Sequence, residues 1–197
     1  MVLNSSTNDG LSTPINTGGT TDKAIGFTLP TGSDYNLDSI TLRLQNYSTT
    51  AGDVARLRIY EDVNKTSTNP NGATLQSLLF NNPSSSSNTI NDFIFTPTST
   101  FTLKADTRYW LRVSATSGNY NWLGNNPPTT PTGIAVVESY QVSSNNGSSY
   151  SSSTNLNILD IQATPIPFDF DPSFGVAVLG GGWLLRKHLK KKQSTKV

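Results

Sequence analysis

Apolar and polar residues alternate along most of the chain, which is the pattern of half-buried β-strands. In residues 39–44 every second residue is apolar, so that Ile40, Leu42 and Leu44 share one face of a strand. The same period of two returns at these apolar residues: Ile25, Phe27 and Leu29; Leu57 and Ile59; Phe93 and Phe95; Phe101 and Leu103; Tyr109, Leu111 and Val113; Ile134 and Val136; Leu156 and Ile158. One apolar and one polar face indicate antiparallel strands around a core.

Short segments rich in Asn, Gly, Ser and Pro separate these runs and predict turns. They occupy residues 68–73, 81–88, 117–121, 124–133 and 143–153. Many short strands at near-regular spacing predict an all-β fold, an antiparallel β-sandwich of jelly-roll type, over residues 21–163. Residues 1–20 are polar, and we expect them to form an irregular N-terminal segment.

The phase of the alternation predicts which side chains face the core. The residues expected to point inward are Leu42, Leu44, Leu57, Ile59, Phe95, Leu111 and Val113. Arg43 lies on the opposite face of its strand. Trp110 is out of phase with Tyr109 and Leu111, so we interpret it as a structural residue on an outer face that a loop covers.

The chain changes character near its C-terminus. Residues 174–185 form an uninterrupted apolar run, about 18 Å long as a helix, against the roughly 20 residues of an ordinary membrane span. We predict a short hydrophobic helix at residues 173–185 and a basic tail at residues 186–197. The cations that would stop the segment at the inner membrane are Arg186, Lys187, Lys190, Lys191 and Lys192. The alternative is a last buried strand or core helix.

The charge distribution separates the body of the chain from its tail. Residues 1–185 carry eight Lys and Arg against thirteen Asp and Glu, a net charge of −5, whereas the tail carries +6. An acidic body argues against a nucleic-acid partner, because phosphates require basic groups. A basic cluster beside an apolar run favours a membrane surface.

The segment between the sandwich and the apolar run resembles a sorting signal. Pro167, Phe168, Asp169 and Phe170, followed by DPSFG, are similar to the cyanobacterial PFE-CTERM type of PEP-CTERM signal, with Asp169 where the usual motif has Glu. The resemblance covers about the last 30 residues and makes residues 164–172 a linker with a sorting motif. It implies recognition by an exosortase, a membrane-embedded processing enzyme that cuts near the motif and sorts the protein toward the cell surface.

Residues 20–163 resemble the choice-of-anchor β domains, most closely the group labelled R. The resemblance rests on ITLRL, ARLRIYED, TLQSLLF, NDFIFTPTSTFTLKADTRYWLRVSA and NYNWLGN. It implies a surface domain that different proteins combine with different anchors, and it implies no established activity.

Export requires a signal that residues 1–20 do not provide. They lack a basic stretch followed by an apolar stretch of 7 to 15 residues. We therefore expect a start upstream of residue 1 or a chain that is a piece of a longer one. The expected location is the membrane before processing, and the cell surface or extracellular space afterwards.

Catalytic residue types are scarce. Cysteine is absent, and the one histidine, His188, lies within the basic tail, so the sandwich has neither a Ser/His/Asp triad nor a His-based metal site. Glu61 and Asp62 are adjacent, which points them to opposite faces of a strand and makes them a poor glycosidase pair. We predict no catalytic residues and no cofactor.

The oxygen-rich stretch that begins at Glu61 and Asp62 is a candidate calcium site. It also contains Asn64, Asn69 and Asn71, but the spacing differs from an EF-hand loop. Turn chemistry explains these residues, because Asp and Asn side chains satisfy local backbone groups. We predict no metal site.

We place Tyr120 and Trp122 in a loop between strands, and they are the candidates for glycan contact, because aromatic faces flanked by Asn suit stacking and hydrogen bonding to sugars. Trp122 as hydrophobic cover for one end of the sandwich is the alternative. Two functions stay open. The first is an exported, surface-sorted protein with a structural, adhesive or glycan-binding role in the extracellular matrix, where extracellular polysaccharide is the candidate partner. The second is a carbohydrate-active enzyme on a jelly-roll scaffold.

Overall fold

Antiparallel strands build the structure, a computed structural model that describes residues 1–5, 7–17, 21–85 and 89–167. No α-helix occurs within these residues, and Met1–Ile166 form one compact unit. The strands are β1 (Leu3–Asn4), β2 (Asp9–Asn16), β3 (Asp22–Thr28), β4 (Tyr35–Gln45), β5 (Val54–Asp62), β6 (Thr74–Leu75), β7 (Phe80–Asn81), β8 (Asn91–Pro97), β9 (Thr102–Leu103), β10 (Arg108–Ser117), β11 (Asn119–Asn125), β12 (Val136–Ser143), β13 (Ser151–Ser152) and β14 (Leu159–Pro165).

Two short 3-10 turns, Thr49–Ala51 and Pro70–Gly72, interrupt the connections. In the part of the chain that the structure describes, no helix is long and apolar enough to cross a membrane. The hydrophobic helix predicted at residues 173–185 and the basic tail lie outside the described residues.

The longest strand, β4, is the centre of the first sheet. Strands β14 and β11 pair with one of its edges and are extended by β1 and β2, while β8 and β9 pair with the other edge and β7 extends β8. All of these pairs are antiparallel. Strand β2 lies at an edge of the sheet and contains Pro14. Proline has no backbone N–H to donate to a neighbouring strand, so within sheets it is largely confined to edge strands.

The second sheet has the order β13-β12-β3-β10-β5-β6 and is also antiparallel. Strand β10 lies near its middle and pairs along most of its length with β3 and β5. The two sheets enclose a single large apolar cluster, which confirms the predicted all-β class and the two-sheet sandwich.

The core contains the side chains that the alternation of apolar and polar residues predicted to face inward. All seven residues predicted to face inward, from Leu42 to Val113, are buried in this cluster. Tyr47 belongs to the same cluster and makes edge-to-face contacts with Phe93 and Tyr120 at ring-centroid distances of 4.9 and 5.2 Å. Arg43 lies outside the core and forms ion pairs with Asp9 and Asp92.

The N-terminal segment differs from the prediction. Residues 1–20 were expected to be irregular, but they contribute β1 and the eight-residue strand β2. Val2, Leu3 and Ile15 are fully buried, and Ile15 lies opposite Tyr120 of β11. The prediction was wrong because these strands are stabilised by pairing with β11 and β14. Such pairing between distant segments cannot be inferred from the low strand propensity of residues 1–20.

The outer face of the second sheet is also covered. Trp110 points away from the main core and forms a second cluster with Ala24 and Tyr60. Its indole N–H donates to the Ser67 hydroxyl at 3.1 Å, so a loop covers this face as the sequence predicted. Arg112, two residues further on β10, is held on the same face by an ion pair with Asp22.

One end of the core holds a buried lysine. Lys23 is 1% exposed and donates to the Asn155 carbonyl at 3.0 Å and to the Ser153 hydroxyl. Among the described residues it has no ion-pair partner. Burial therefore lowers the pKa of its ammonium group to about 8.

This lowered pKa predicts a pH dependence of stability. The unfolded chain, with a lysine pKa near 10.5, binds more protons above pH 8 than the folded chain, so stability rises with pH in that window. Between pH 7 and pH 9 we expect a gain of about 1 kcal/mol in the free energy of unfolding. Denaturant unfolding at both pH values measures it, and Lys23→Met should remove the gain. An unchanged pH dependence in that variant would contradict the assignment to Lys23.

Candidate functional site

A groove of about 470 Å³ lies on the outer face of the second sheet. Arg108 and Trp110 of β10 contribute to its lining, the loop at residues 65–68 forms one wall, and Glu138 and Gln141 of β12 contribute from the other side. It joins elements that are far apart in sequence, and most of its lining groups can make hydrogen bonds. We take it as the candidate functional site.

The floor of the groove is set by alternation along β10 and by a glycine on β3. Arg108 and Trp110 are two residues apart and therefore project from the same face. Gly26 pairs with Trp110, and a Cβ atom at Gly26 would lie 2.9 Å from Cζ3 of the indole. The missing side chain gives the ring room to lie flat against the sheet.

Asp62, at the end of β5, holds the wall of the groove. Its carboxylate accepts from the backbone N–H groups of Ser67 at 3.0 Å and Thr66 at 3.3 Å, and from the Ser67 hydroxyl. The Lys65 N–H donates to the Asp62 carbonyl at 3.1 Å and closes the turn. One buried carboxylate therefore folds the loop back over the sheet.

Arg108 ties the same loop to the strands. Its two terminal nitrogens donate to the carbonyl oxygens of Ser67 at 2.6 Å and Lys65 at 2.7 Å. The guanidinium also forms ion pairs with Asp62 at 3.5 Å and with Glu138 of β12 at 2.7 Å. These contacts link β5, β10, β12 and the loop, so the groove is preformed.

The electrostatics of Asp62 follow from this network. Burial by itself would raise the pKa of its carboxyl, but the hydrogen bonds from Ser67 and Thr66 and the charge of Arg108 outweigh that effect and lower the pKa. A carboxyl held ionised in this way accepts hydrogen bonds and does not donate a proton near neutral pH. Asp62 therefore has a positioning role.

The β12 side of the groove is polar. The register of β12 on β3 shifts between Val137 and Ser139, so Glu138 lies at a bulge, where its carboxylate accepts from the Thr28 hydroxyl. The Gln141 side-chain amide donates to the Ser139 hydroxyl at 2.6 Å. The Trp110 indole below is only 1% exposed, so the groove presents hydrogen-bonding groups and no stacking platform.

The structure contradicts the predicted glycan contacts. Tyr120 and Trp122 lie in strand β11 and not in a loop, and they are 2% and 0% exposed. Tyr120 donates its hydroxyl to the Ser114 carbonyl at 2.8 Å, and the Trp122 indole donates to the Ile158 carbonyl at 2.8 Å. Successive side chains of a strand point to opposite faces, so the two rings face the core while Asn119 and Asn121 lie on the other face.

Most of the predicted sorting residues lie outside the described residues. Pro167 is described and is exposed. Phe168, Asp169 and Phe170 of the motif are not described, and neither are the cations Arg186, Lys187, Lys190, Lys191 and Lys192. The sorting signal therefore stays a prediction.

The oxygen-rich stretch after β5 serves turns. The Asn69 side chain accepts from the Asn71 N–H at 3.0 Å, and the Asn71 side chain donates to the Gly147 carbonyl at 3.0 Å. Within the described ranges, no group of three or more His, Cys, Asp or Glu residues is placed to hold a metal ion.

Sequence reasoning did not find Arg108, Glu138 and Gln141 as a group. They come together through the order of β10, β3 and β12 in the sheet, which local patterns do not reveal. One signal was present: Trp110, an aromatic residue out of phase with its strand, marked the outer face that the loop covers.

Comparison with known proteins adds no relative. No protein-family model matches the chain, and no curated protein or solved structure matches it either.

Proposed function

We propose that this protein is an exported, surface-sorted β-sandwich that binds extracellular polysaccharide without chemical turnover, through the groove between the loop at residues 65–68 and β12. The observation that carries the proposal is the preformed polar groove, in which Arg108 fixes the loop, β10 and β12 in one arrangement. A preformed site binds without the free-energy cost of ordering its side chains.

The chemistry of the groove suits sugar hydroxyls. Glu138 offers carboxylate acceptors, Gln141 offers an amide, and Thr66, Thr68 and Ser152 offer hydroxyl groups. Lys65 and Arg108 are both engaged in ion pairs, so the groove has little free charge for an ionic ligand. A neutral glycan is the ligand class that this lining favours.

The geometry favours binding over hydrolysis. A glycosidase requires one carboxyl group with a raised pKa beside a second carboxylate. Asp62 and Glu138, the carboxylates that contact Arg108 at the groove, are both held in ion pairs, and the pKa of Asp62 is lowered. The alternative, a carbohydrate-active enzyme on a sandwich of jelly-roll type, would need such a pair, and the described residues that line the groove do not include one.

The C-terminal region supplies the sorting part of the proposal. We assign a short hydrophobic helix to residues 173–185, held in the inner membrane with its lysines on the cytoplasmic side. The motif from Pro167 to Phe170 is then the segment that an exosortase-type enzyme recognises. Processing releases the domain toward the cell surface or the extracellular matrix.

Glycan binding is tested with a soluble domain of residues 1–167, once circular dichroism has verified a β spectrum and a cooperative melt. A glycan array identifies the ligand, and calorimetry measures its affinity. Replacing Gln141 with Ala removes a hydrogen-bonding group from the groove and should weaken binding about tenfold, which corresponds to the loss of about 1.4 kcal/mol. Gln162→Ala, a change on the other sheet, should leave affinity unchanged. Equal affinity for both variants, or cleavage of the bound glycan, would refute the proposal.

Sorting is tested by expression behind a supplied signal peptide in a host that contains an exosortase. We expect the full-length chain to reach the membrane and to be processed near Pro167, because the apolar run and the lysines halt translocation. Fractionation and mass analysis of the mature C-terminus measure this. Deletion of residues 165–197 should release a folded, soluble domain. A full-length chain that stays intact and soluble would show that residues 174–185 do not form an anchor.

A further inference from the structure

A second groove, of about 480 Å³, lies at the side of the sandwich beside β5. Strand β6 covers β5 only at Tyr60 and Glu61, so the edge of β5 from Val54 to Arg58 pairs with no strand on that side within the described part of the chain. Residues 75–79 pass beside this edge and form the opposite wall.

The backbone of Leu57 points into this groove. Along an antiparallel strand, backbone groups face alternate sides. The Ile59 carbonyl accepts from the Gln76 N–H at 2.9 Å and the Ala55 N–H donates to the Tyr47 hydroxyl at 3.4 Å, both on the side away from β10. Leu57 lies between them with no shift in register, so its N–H and C=O face the same side.

These two backbone groups have no partner among the described residues, although Leu57 is only 4% exposed. A backbone donor and acceptor at the bottom of a groove cost free energy when they stay unpaired. An incoming strand is the ligand that satisfies both at once.

The rim of the groove adds charge and apolar surface. Arg56 and Arg58 project from the outer face on either side of Leu57, and neither forms an ion pair within the described residues, whereas Arg43, Lys65, Lys104, Arg108 and Arg112 all do. Leu75 and Leu79, which also line the groove, are 50% and 70% exposed. Two unpaired guanidinium groups on an acidic domain favour an acidic partner.

We propose that the edge of β5 receives an extended peptide segment of a partner protein, with acidic residues at alternate positions and apolar residues between them. An apolar residue opposite Leu57 exchanges two backbone hydrogen bonds with it. The acidic residues on either side then lie opposite Arg56 and Arg58, on the outer face. The exposed leucines, Leu75 and Leu79, pack against the remaining apolar residues. This interaction is independent of the glycan groove.

The test uses the full chain in detergent micelles and the synthetic peptide acetyl-Val-Asp-Val-Asp-Val-amide, with binding measured by fluorescence anisotropy. We expect saturable binding, at least tenfold weaker for the double variant Arg56→Ser and Arg58→Ser. Lys104→Ser, which removes a cation elsewhere on the surface, should change affinity less than twofold. A peptide with Lys in place of Asp should not bind.

Backbone pairing is tested separately. N-methylation of the central Val removes the donor to the Leu57 carbonyl and should weaken binding at least tenfold, and the Leu57 amide should gain protection from hydrogen exchange when the unmodified peptide binds. Absence of binding at millimolar peptide, equal binding of the N-methylated peptide, or an unprotected Leu57 amide overturns the proposal. Binding of polygalacturonate without binding of the peptide also overturns the proposal. If the double arginine variant then loses polygalacturonate binding, the ligand of this edge is an acidic polysaccharide.

Discussion

The burial of β10 on both of its faces is the constraint on which the structure depends. Its inner face contributes Tyr109, Leu111 and Val113 to the core, while Trp110 and Arg112 point outward and are nevertheless buried. A strand covered on both sides needs polar partners wherever its outer face is polar. Three carboxylates meet this need, Asp22 for Arg112 and both Asp62 and Glu138 for Arg108.

The contacts on the outer face also determine the shape of the groove that we propose as the glycan site. Asp62 and Arg108 hold the loop at residues 65–68 over the indole of Trp110, and Arg108 also reaches Glu138 on β12. The same contacts that shield the outer face therefore shape the groove beside it. The edge of β5 is the opposite case, an uncovered part of the same sheet: β6 is too short to cover it, and the backbone of Leu57 has no partner among the described residues. Both regions proposed for binding therefore belong to the second sheet, and the contacts that stabilise its outer face also shape the first of them.

Local periodicity was enough to predict the sandwich and to predict that residues such as Leu42 and Leu111 face the core. In a strand with one buried face every second residue is apolar, and this pattern is visible in the sequence. It failed at β2, where an edge strand is mostly polar. It also failed at Tyr120 and Trp122, where the surrounding turn-forming residues predict a loop but the structure has a strand. The groove could not be predicted from the sequence, because Arg108 and Glu138 are brought together only by the order of strands in the sheet.

Hydrogen exchange of the indole N–H groups of Trp110 and Trp122 tests most directly whether Asp62 holds the loop over Trp110. In the native chain both should be protected, since Trp110 donates to Ser67 and Trp122 donates to Ile158 in the core. We expect Asp62→Ala to release the loop, so that exchange at Trp110 becomes at least tenfold faster while Trp122 stays protected as an internal control. Unchanged protection of Trp110 in that variant would contradict the role of Asp62 in holding the loop.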